Sequence, residues 1–549
     1  MKKKTFREWL FGNRWIMVLI GVITLLAHGS ILFTQRFGID TDAIMLGMYS
    51  FEDTGRQGLV WLAELMGLEL GRFNLYLAQV LTVVFLFLAP VAFGGLFWLA
   101  GGEGRGDKAA LAVLGLSFIV SPFWAAQIYF LNQSAQVLLA CVLTAAAVAL
   151  AETARRDIRR RWFMLPGAIA LMQLTFSSYQ VLLLIYAVGV AAVFLISSLK
   201  EYRTLRQSFL WILFHGGSFA AGFLIYMIIS GAFYMKEGDY LAGQILWGQV
   251  GLWGGLRNCC GIIRQTMRET PPFYTGWYAM FCVVFLALLL YRLFREKERK
   301  PGSRILMLLA ALFLTASPYA FHFLYGGEIV DRMRLLMPFG QGCILYLTVL
   351  LLGEWKPEGR SLRAMGLRVL LLFFAAAVVR DGVKNLSFCT RLYYTDEYVF
   401  AHASRVAADL YRDIRALQQS PELEAFRDTS RDNIVLLGYP HIPDNPVCID
   451  GHTIGRSIFE VEVLTGNTLT RDRSRYFMRN LGYPIEISFS EGEAAAFYAY
   501  FDEYFGAEVD AMPCYPDPGY IKCVWDEETG MEYVAVKLGA DWRLPQWKK

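Results

Sequence analysis

Two aspartates one residue apart, Asp40 and Asp42, directly follow the first apolar run of the chain. Glu52, Asp53 and Arg56 come shortly after. A carboxylate in such a place can take the proton of a hydroxyl while a leaving group departs, and a guanidinium suits a departing phosphate because its fork is planar and always charged. Ionisable groups bordering hydrocarbon are costly unless they are solvated or used. Arg332 and Arg334, on the turn after Ser317-Pro318-Tyr319, would join Arg56 as phosphate ligands. The expected division of labour is Asp40 or Asp42 as general base, Arg56, Arg332 and Arg334 on the phosphate, and Glu52 and Asp53 in support. Solvated loop charges or structural ion pairs are the plain alternative for any one of these residues. The clustering of the set argues for use.

Short connections elsewhere carry polar and aromatic groups suited to a sugar ring: Trp124, Gln127, Tyr129, Asn132 and Gln133, then Tyr179-Gln180. An interfacial aromatic belt would account for Trp124 and Tyr129, but it explains Asn132 and Gln180 less well. His28 and His322 have no evident nucleophile partner and read as packing residues. No triad, P-loop or glycine-rich phosphate loop is present.

The elements that must hold these residues are membrane spans. With 56% hydrophobic and 15% aromatic residues in 549, the chain is too apolar for a soluble protein of its length. Runs of about 20 apolar residues, enough to cross roughly 30 Å of hydrocarbon, recur through the first two-thirds. We read eleven, at roughly 15–34, 74–100, 109–128, 134–152, 162–177, 180–198, 208–233, 276–294, 304–325, 335–353 and 364–382. Every second connection is basic, from Lys2-Lys3-Lys4 through Arg155-Arg156 and Arg159-Arg160-Arg161 to Lys356, Arg360 and Arg363. The positive-inside rule places these in the cytoplasm, and an odd number of spans then places the tail outside. The first span is too long for a signal-peptide core and is expected to be retained.

Charge separates the two parts. Residues 1–382 carry about 35 Lys and Arg against 22 Asp and Glu, and residues 383–549 about 17 against 26. No single basic face suggests nucleic acid. The expected domains are therefore a membrane domain over 1–382, whose outer loop 35–73 holds short interfacial helices, and an extracytoplasmic α/β domain over 383–549. In the tail, Thr395 is placed to cap a helix running past Leu417, Ile434 to Leu437 reads as a buried strand, and Ser490-Glu491-Gly492-Glu493 as a capping box. Ile521 to Trp525 and Tyr533 to Val536 read as a hairpin. The nine cysteines show no ligand spacing, and a disulfide among Cys448, Cys514 and Cys523 is one option in an oxidising space.

Asp40-Thr41-Asp42 is formally the D-x-D by which many soluble glycosyltransferases hold a metal and a nucleotide sugar. Chance matches are common and nucleotide sugars are not generally supplied outside the cytoplasm, so no metal is assigned to it. No cofactor is expected, with a divalent cation left open.

Gly38-Ile39-Asp40-Thr41-Asp42, Gly55-Arg56-Gln57-Gly58-Leu59 and Ser178-Tyr179-Gln180 together resemble the glucosyl transferase GtrII family of bacterial membrane proteins. The acidic tail, closing on Met512-Pro513-Cys514-Tyr515-Pro516 and Val534-Ala535-Val536-Lys537-Leu538, is similar to the family's Gram-positive members. The resemblance implies a GT-C-like fold, a polyprenyl-phosphate sugar as donor and a catalytic Asp in the first outer loop. Thr41 separates two acids that are often adjacent in the family, which leaves the choice of base open. Arg56 carries over from a Gly-Arg-Pro-like element, and the proline does not.

The sequence thus describes a polytopic α-helical membrane protein of about eleven spans, GT-C-like, in a bacterial plasma membrane with its N-terminus cytoplasmic. It would move glucose or a similar hexose from undecaprenyl phosphate to an extracytoplasmic glycan such as teichoic acid, with inversion. A polymerase or ligase acting on lipid-pyrophosphate glycans is the rival enzyme. A transporter or flippase ranks lower for want of internal repeats.

Overall fold

The computed structural model describes residues 5–47, 51, 55–101, 106–233, 246–268, 276–296, 298–353, 362–419, 434–460, 462–463, 469–470, 472–485, 494–528 and 530–543. The chain divides into two compact units. The first is residues 1–35 with 50–393, and the second is 36–49 with 394–549. The sequence put the division at 382/383 and kept the whole 35–73 loop with the membrane part. In the structure the stretch carrying Asp40 and Asp42 belongs with the C-terminal unit.

The first unit is all helical. It contains α1 (Phe6–Gly12), α2 (Arg14–His28), α4 (Gln57–Met66), α5 (Leu75–Gly101), α6 (Asp107–Ile119), α7 (Pro122–Ile128), α8 (Leu131–Arg156), α9 (Arg161–Ser178), α10 (Val181–Lys200) and α11 (Leu205–Phe233). It continues with α12 (Trp247–Met267), α13 (Trp277–Arg295), α14 (Pro301–Ala316), α15 (Ala320–Tyr325) and α16 (Leu336–Gly353). The core forms where α5 and α9 pack on α8 and where α6 packs on α16. There Phe93 meets Phe339 at 4.3 Å between ring centres, and Phe118 meets Trp124 at 4.9 Å. His28 is a packing residue, its ring nitrogens 2.7 Å from the Tyr393 hydroxyl and 2.8 Å from the Ile119 carbonyl.

Among the described residues eight helices are long and apolar enough to cross a membrane, or nine if the bent pair α6 and α7 is one span. Eleven were expected. The other two expected stretches, near 162–177 and 364–382, also form helices: α9, which carries Gln173, Thr175, Ser177 and Ser178, and the start of a much longer helix.

That second stretch begins α17 (Leu362–Gln418), a single helix of 57 residues. Thr395 therefore caps nothing. It lies inside the helix, and its hydroxyl accepts a hydrogen bond from the Ile449 N–H at 2.9 Å. The charged residues read as the end of a span are interior positions of a continuous helix.

The second unit includes α3 (Thr41–Met45) and, after α17, β1 (Ile434–Leu437), β2 (Glu462–Val463), β3 (Leu469–Thr470), α18 (Asp472–Asn480), α19 (Ala494–Ala511), β4 (Ile521–Asp526) and β5 (Met531–Lys537). The sheet runs β1-β5-β4, with β1 parallel and β4 antiparallel to the central β5. The expected strand and hairpin are present. Val435, Leu437, Phe501, Phe505, Val524 and Tyr533 share one core beside α19. The proposed capping box at 490–493 lies outside the described residues, and the nine cysteines form no disulfide with one another.

Candidate active site

The acidic loop is built by the second unit. Arg36 forms an ion pair with Asp396 at 3.1 Å, and Phe37 packs against Phe400 and Phe477 at ring-centre distances of 5.2 and 5.6 Å. Asp40 then takes φ 67° and ψ −33°; among the described residues no other non-glycine has positive φ. Such a conformation costs on the order of 1–3 kcal/mol and persists only where surrounding structure holds it. Here the reversal starts α3 and puts Asp42 in its first turn.

Asp42 is 3% exposed. Its Oδ1 accepts from the Ala43 N–H at 2.9 Å, and its backbone carbonyl accepts from Asn480 Nδ2 at 2.9 Å. Burial pushes its carboxyl up from 3.8 to about 7, and Asp40 adds to the rise. The charge of Arg473 and the Ala43 N–H oppose it. A carboxylate poised near neutrality suits general-base work better than a solvated one. Arg36, Arg473 and Asn480 had not been singled out from the sequence. Only folding brings α18 to this loop.

The first unit assembles the cationic group. Gly58 sits so close to α9 that an added Cβ would lie 2.4 Å from the Leu174 carbonyl oxygen and 2.6 Å from each of the Ser177 and Ser178 hydroxyls. Only glycine lets α4 seat there, and the seating fixes Arg56 and Gln57 at its start. The Arg56 guanidinium stands 5.5 Å from the centre of the Tyr179 ring. The Tyr179 hydroxyl reaches the Arg332 carbonyl at 3.4 Å, and the Arg332 guanidinium stacks 3.9 Å over Phe130. Tyr179 thus joins the two arginines.

Arg334 is differently engaged. It is buried, with Nη2 2.9 Å from Glu328, Nε 3.3 Å from Asp331, and further bonds to the Ile329 carbonyl. These bonds brace the turn that presents Arg332. Gln57 exchanges hydrogen bonds with Ser230 at 2.8 and 3.1 Å. The Ser134 hydroxyl donates to the Gln127 and Phe130 carbonyls and closes the α7–α8 turn. Asn132 is buried on that turn, with its carbonyl accepting from Gln136, and Gln180 precedes α10. Trp124 Nε1, both polar atoms of the Gln127 amide, Gln133 Oε1 and Arg56 Nε are buried without a partner among the described residues.

The structure therefore gathers Asp40 and Asp42 on one loop of the second unit, and Arg56, Tyr179 and Arg332 in the first. Glu52 and Asp53 lie outside the described residues. Among those described, no three His, Cys, Asp or Glu side chains come together as a metal-ligand set.

A family model described as glucosyl transferase GtrII matches residues 29–341, which hold the acidic loop and the Arg56–Tyr179–Arg332 group. The chain belongs to the glucosyl transferase GtrII family. It is a helical, multi-pass glycosyltransferase with a small C-terminal sheet domain. No curated protein matches it. Among solved structures, the chain is similar to an oligosaccharyltransferase of Archaeoglobus fulgidus, tethered by a disulfide to an acceptor peptide with an NVT sequon. The two share 14% identity at a TM-score of 0.40, over 98% of this chain and 76% of that one. At that score the likeness is too slight to bear on fold or activity.

Proposed function

We propose that this GtrII protein, organised as a GT-C enzyme, transfers glucose or a similar hexose from undecaprenyl phosphate to an extracytoplasmic cell-envelope glycan. The observation that carries the reading is the Asp42 carboxyl, buried, held near neutrality and set by a strained turn directly after the first span.

In the proposed reaction Asp42 takes the proton of an acceptor hydroxyl. That oxygen forms its bond to the anomeric carbon as the carbon–oxygen bond to the carrier phosphate breaks. The leaving phosphate keeps the bonding pair, and Arg56 and Arg332 offset its charge. One displacement inverts the anomeric configuration. The buried Trp124, Gln127 and Gln133 groups, without partners among the described residues, support the reading, because sugar hydroxyls can satisfy both donors and acceptors. Asp40 sets the turn and raises the Asp42 pKa, and Arg334 braces Arg332.

The test is transfer from synthetic undecaprenyl-phosphate-glucose to an envelope acceptor by wild type, Asp40→Asn and Asp42→Asn. Transfer by wild type with loss in folded Asp42→Asn supports the assignment. Reaction only with pyrophosphate-linked oligosaccharides would move it to a polymerase or ligase.

A further inference from the structure

The first unit has a cationic cavity at the far end of α8 from Asn132. About 590 Å³ in volume, it is lined by Arg155, Arg161, Arg203 and Glu201, with Leu210, Trp211 and Phe214 as its apolar wall. Ligand sites typically measure about 300–1,000 Å³. Asn132 and Arg155 stand at opposite ends of α8, about 35 Å apart at 1.5 Å per residue, so this is not the sugar-site cluster.

Its charges do not cancel. Glu152 is fully engaged, accepting from Arg155 at 2.8 and 2.9 Å, Arg156 at 2.6 Å and Trp211 Nε1 at 3.1 Å, with His215 also at 3.1 Å. Arg161 leans on the Ala154 and Arg155 carbonyls. Arg203 meets one carboxylate, Glu201, at 3.7 Å, and that side chain is 72% exposed. Among the described residues the Arg203 Nη1 is buried without a partner. Four guanidiniums against two carboxylates among those residues leave two positive charges. Burial first, and then the neighbouring Arg155, depress the Arg203 pKa against the opposing pull of Glu152 and Glu201.

The guanidiniums are also held in place. Arg161 lies 5.5 Å from the Phe214 ring centre and Arg203 5.9 Å from that of Trp211, so aromatic rings and, for Arg161, two backbone carbonyls fix both guanidiniums beside the cavity. Exposed Ile158, Trp162, Tyr202 and Phe209 on the adjoining segments offer an apolar surface that a free phosphate would not use. Basic pockets between spanning helices are a general means of holding lipid head groups.

We propose that this cavity binds the phosphate head of an anionic membrane phospholipid, with Arg161 and Arg203 on the phosphate oxygens and the acyl chains along the α9 and α11 surface. The site stands independently of the donor and acceptor assigned above.

The test is native mass spectrometry of the purified full chain with phosphatidylglycerol or phosphatidylcholine added. Wild type should retain one phosphatidylglycerol under activation that strips phosphatidylcholine. Arg161→Gln and Arg203→Gln should each lower that retention roughly tenfold, the scale of one lost charge-assisted hydrogen bond. Arg203→Lys should restore part of it. Leu210→Trp, which narrows the cavity without changing charge, should lower retention in a protein that keeps every arginine. Arg159→Gln, on the same turn but outside the cavity, should change nothing. Equal stripping of the two lipids, or an equal loss in Arg159→Gln, would overturn the proposal in favour of bulk surface charge. Displacement of the lipid by millimolar inorganic phosphate would overturn it in favour of a free-anion site.

Discussion

Replacing Asp42 by asparagine should abolish transfer and at the same time stabilise the protein at alkaline pH. Burial raises the carboxyl from 3.8 to about 7. At about 1.4 kcal/mol per pH unit, its ionised form is about 4 kcal/mol less favourable than in water. The folded protein therefore holds a proton between pH 4 and 7 that the unfolded chain has released, and stability declines as pH rises through that window. Asp42→Asn removes the decline. Thermal unfolding should find it level with wild type near pH 4 and more stable at pH 8, by up to about 4 kcal/mol. Activity depends on the same ionisation in the opposite sense. About a tenth of Asp42 is charged at pH 6 and nine-tenths at pH 8, so kcat/KM should rise about tenfold across that interval. Arg473 lowers and Asp40 raises the Asp42 pKa. The acid limb should therefore move to higher pH in Arg473→Gln and to lower pH in Asp40→Asn. A limb near pH 4, or shifts of the same sign in the two variants, would refute the assignment of Asp42 as the buried base.

Gly58→Ala should cost on the order of 1–3 kcal/mol in unfolding free energy and depress transfer, because its Cβ collides with the Leu174 carbonyl and displaces Arg56. Arg332→Gln should lower transfer with little change in melting temperature, whereas Arg334→Gln should lower the melting temperature by leaving Asp331 and Glu328 without their cation. Glu152→Gln removes the counter-charge and one of the two accepting oxygens shared by Arg155, Arg156 and Trp211 and should destabilise by about 3–5 kcal/mol, measured by thermal unfolding in detergent. Asn480→Ala should lose about 1 kcal/mol and slow transfer, since its amide ties α18 to the Asp42 carbonyl.

The sequence by itself determined what local chemistry and hydrophobic length can determine. Apolar runs marked most of the helices, because a segment that crosses hydrocarbon must satisfy its backbone internally and shield it with apolar side chains. A short buried apolar run marked β1, and two runs flanking a turn marked the β4–β5 hairpin. The combination of Gly38 to Asp42, Gly55 to Leu59 and Ser178 to Gln180 pointed to the family that residues 29–341 match. Tertiary structure decided what depends on residues far apart in the chain. Asn480 holds Asp42 from 438 positions away, and no spacing rule reaches that far. The same distant packing buries Asp42 and so sets its pKa, and it assigns the 36–49 segment to the C-terminal unit. It also decided that Arg332 faces an aromatic ring while Arg334, two residues on, is held by acids. Charge at 380–384 looked like the end of a span, yet the helix continues to Gln418. Side-chain polarity measures where a helix meets water, whereas backbone hydrogen bonding alone measures where it stops.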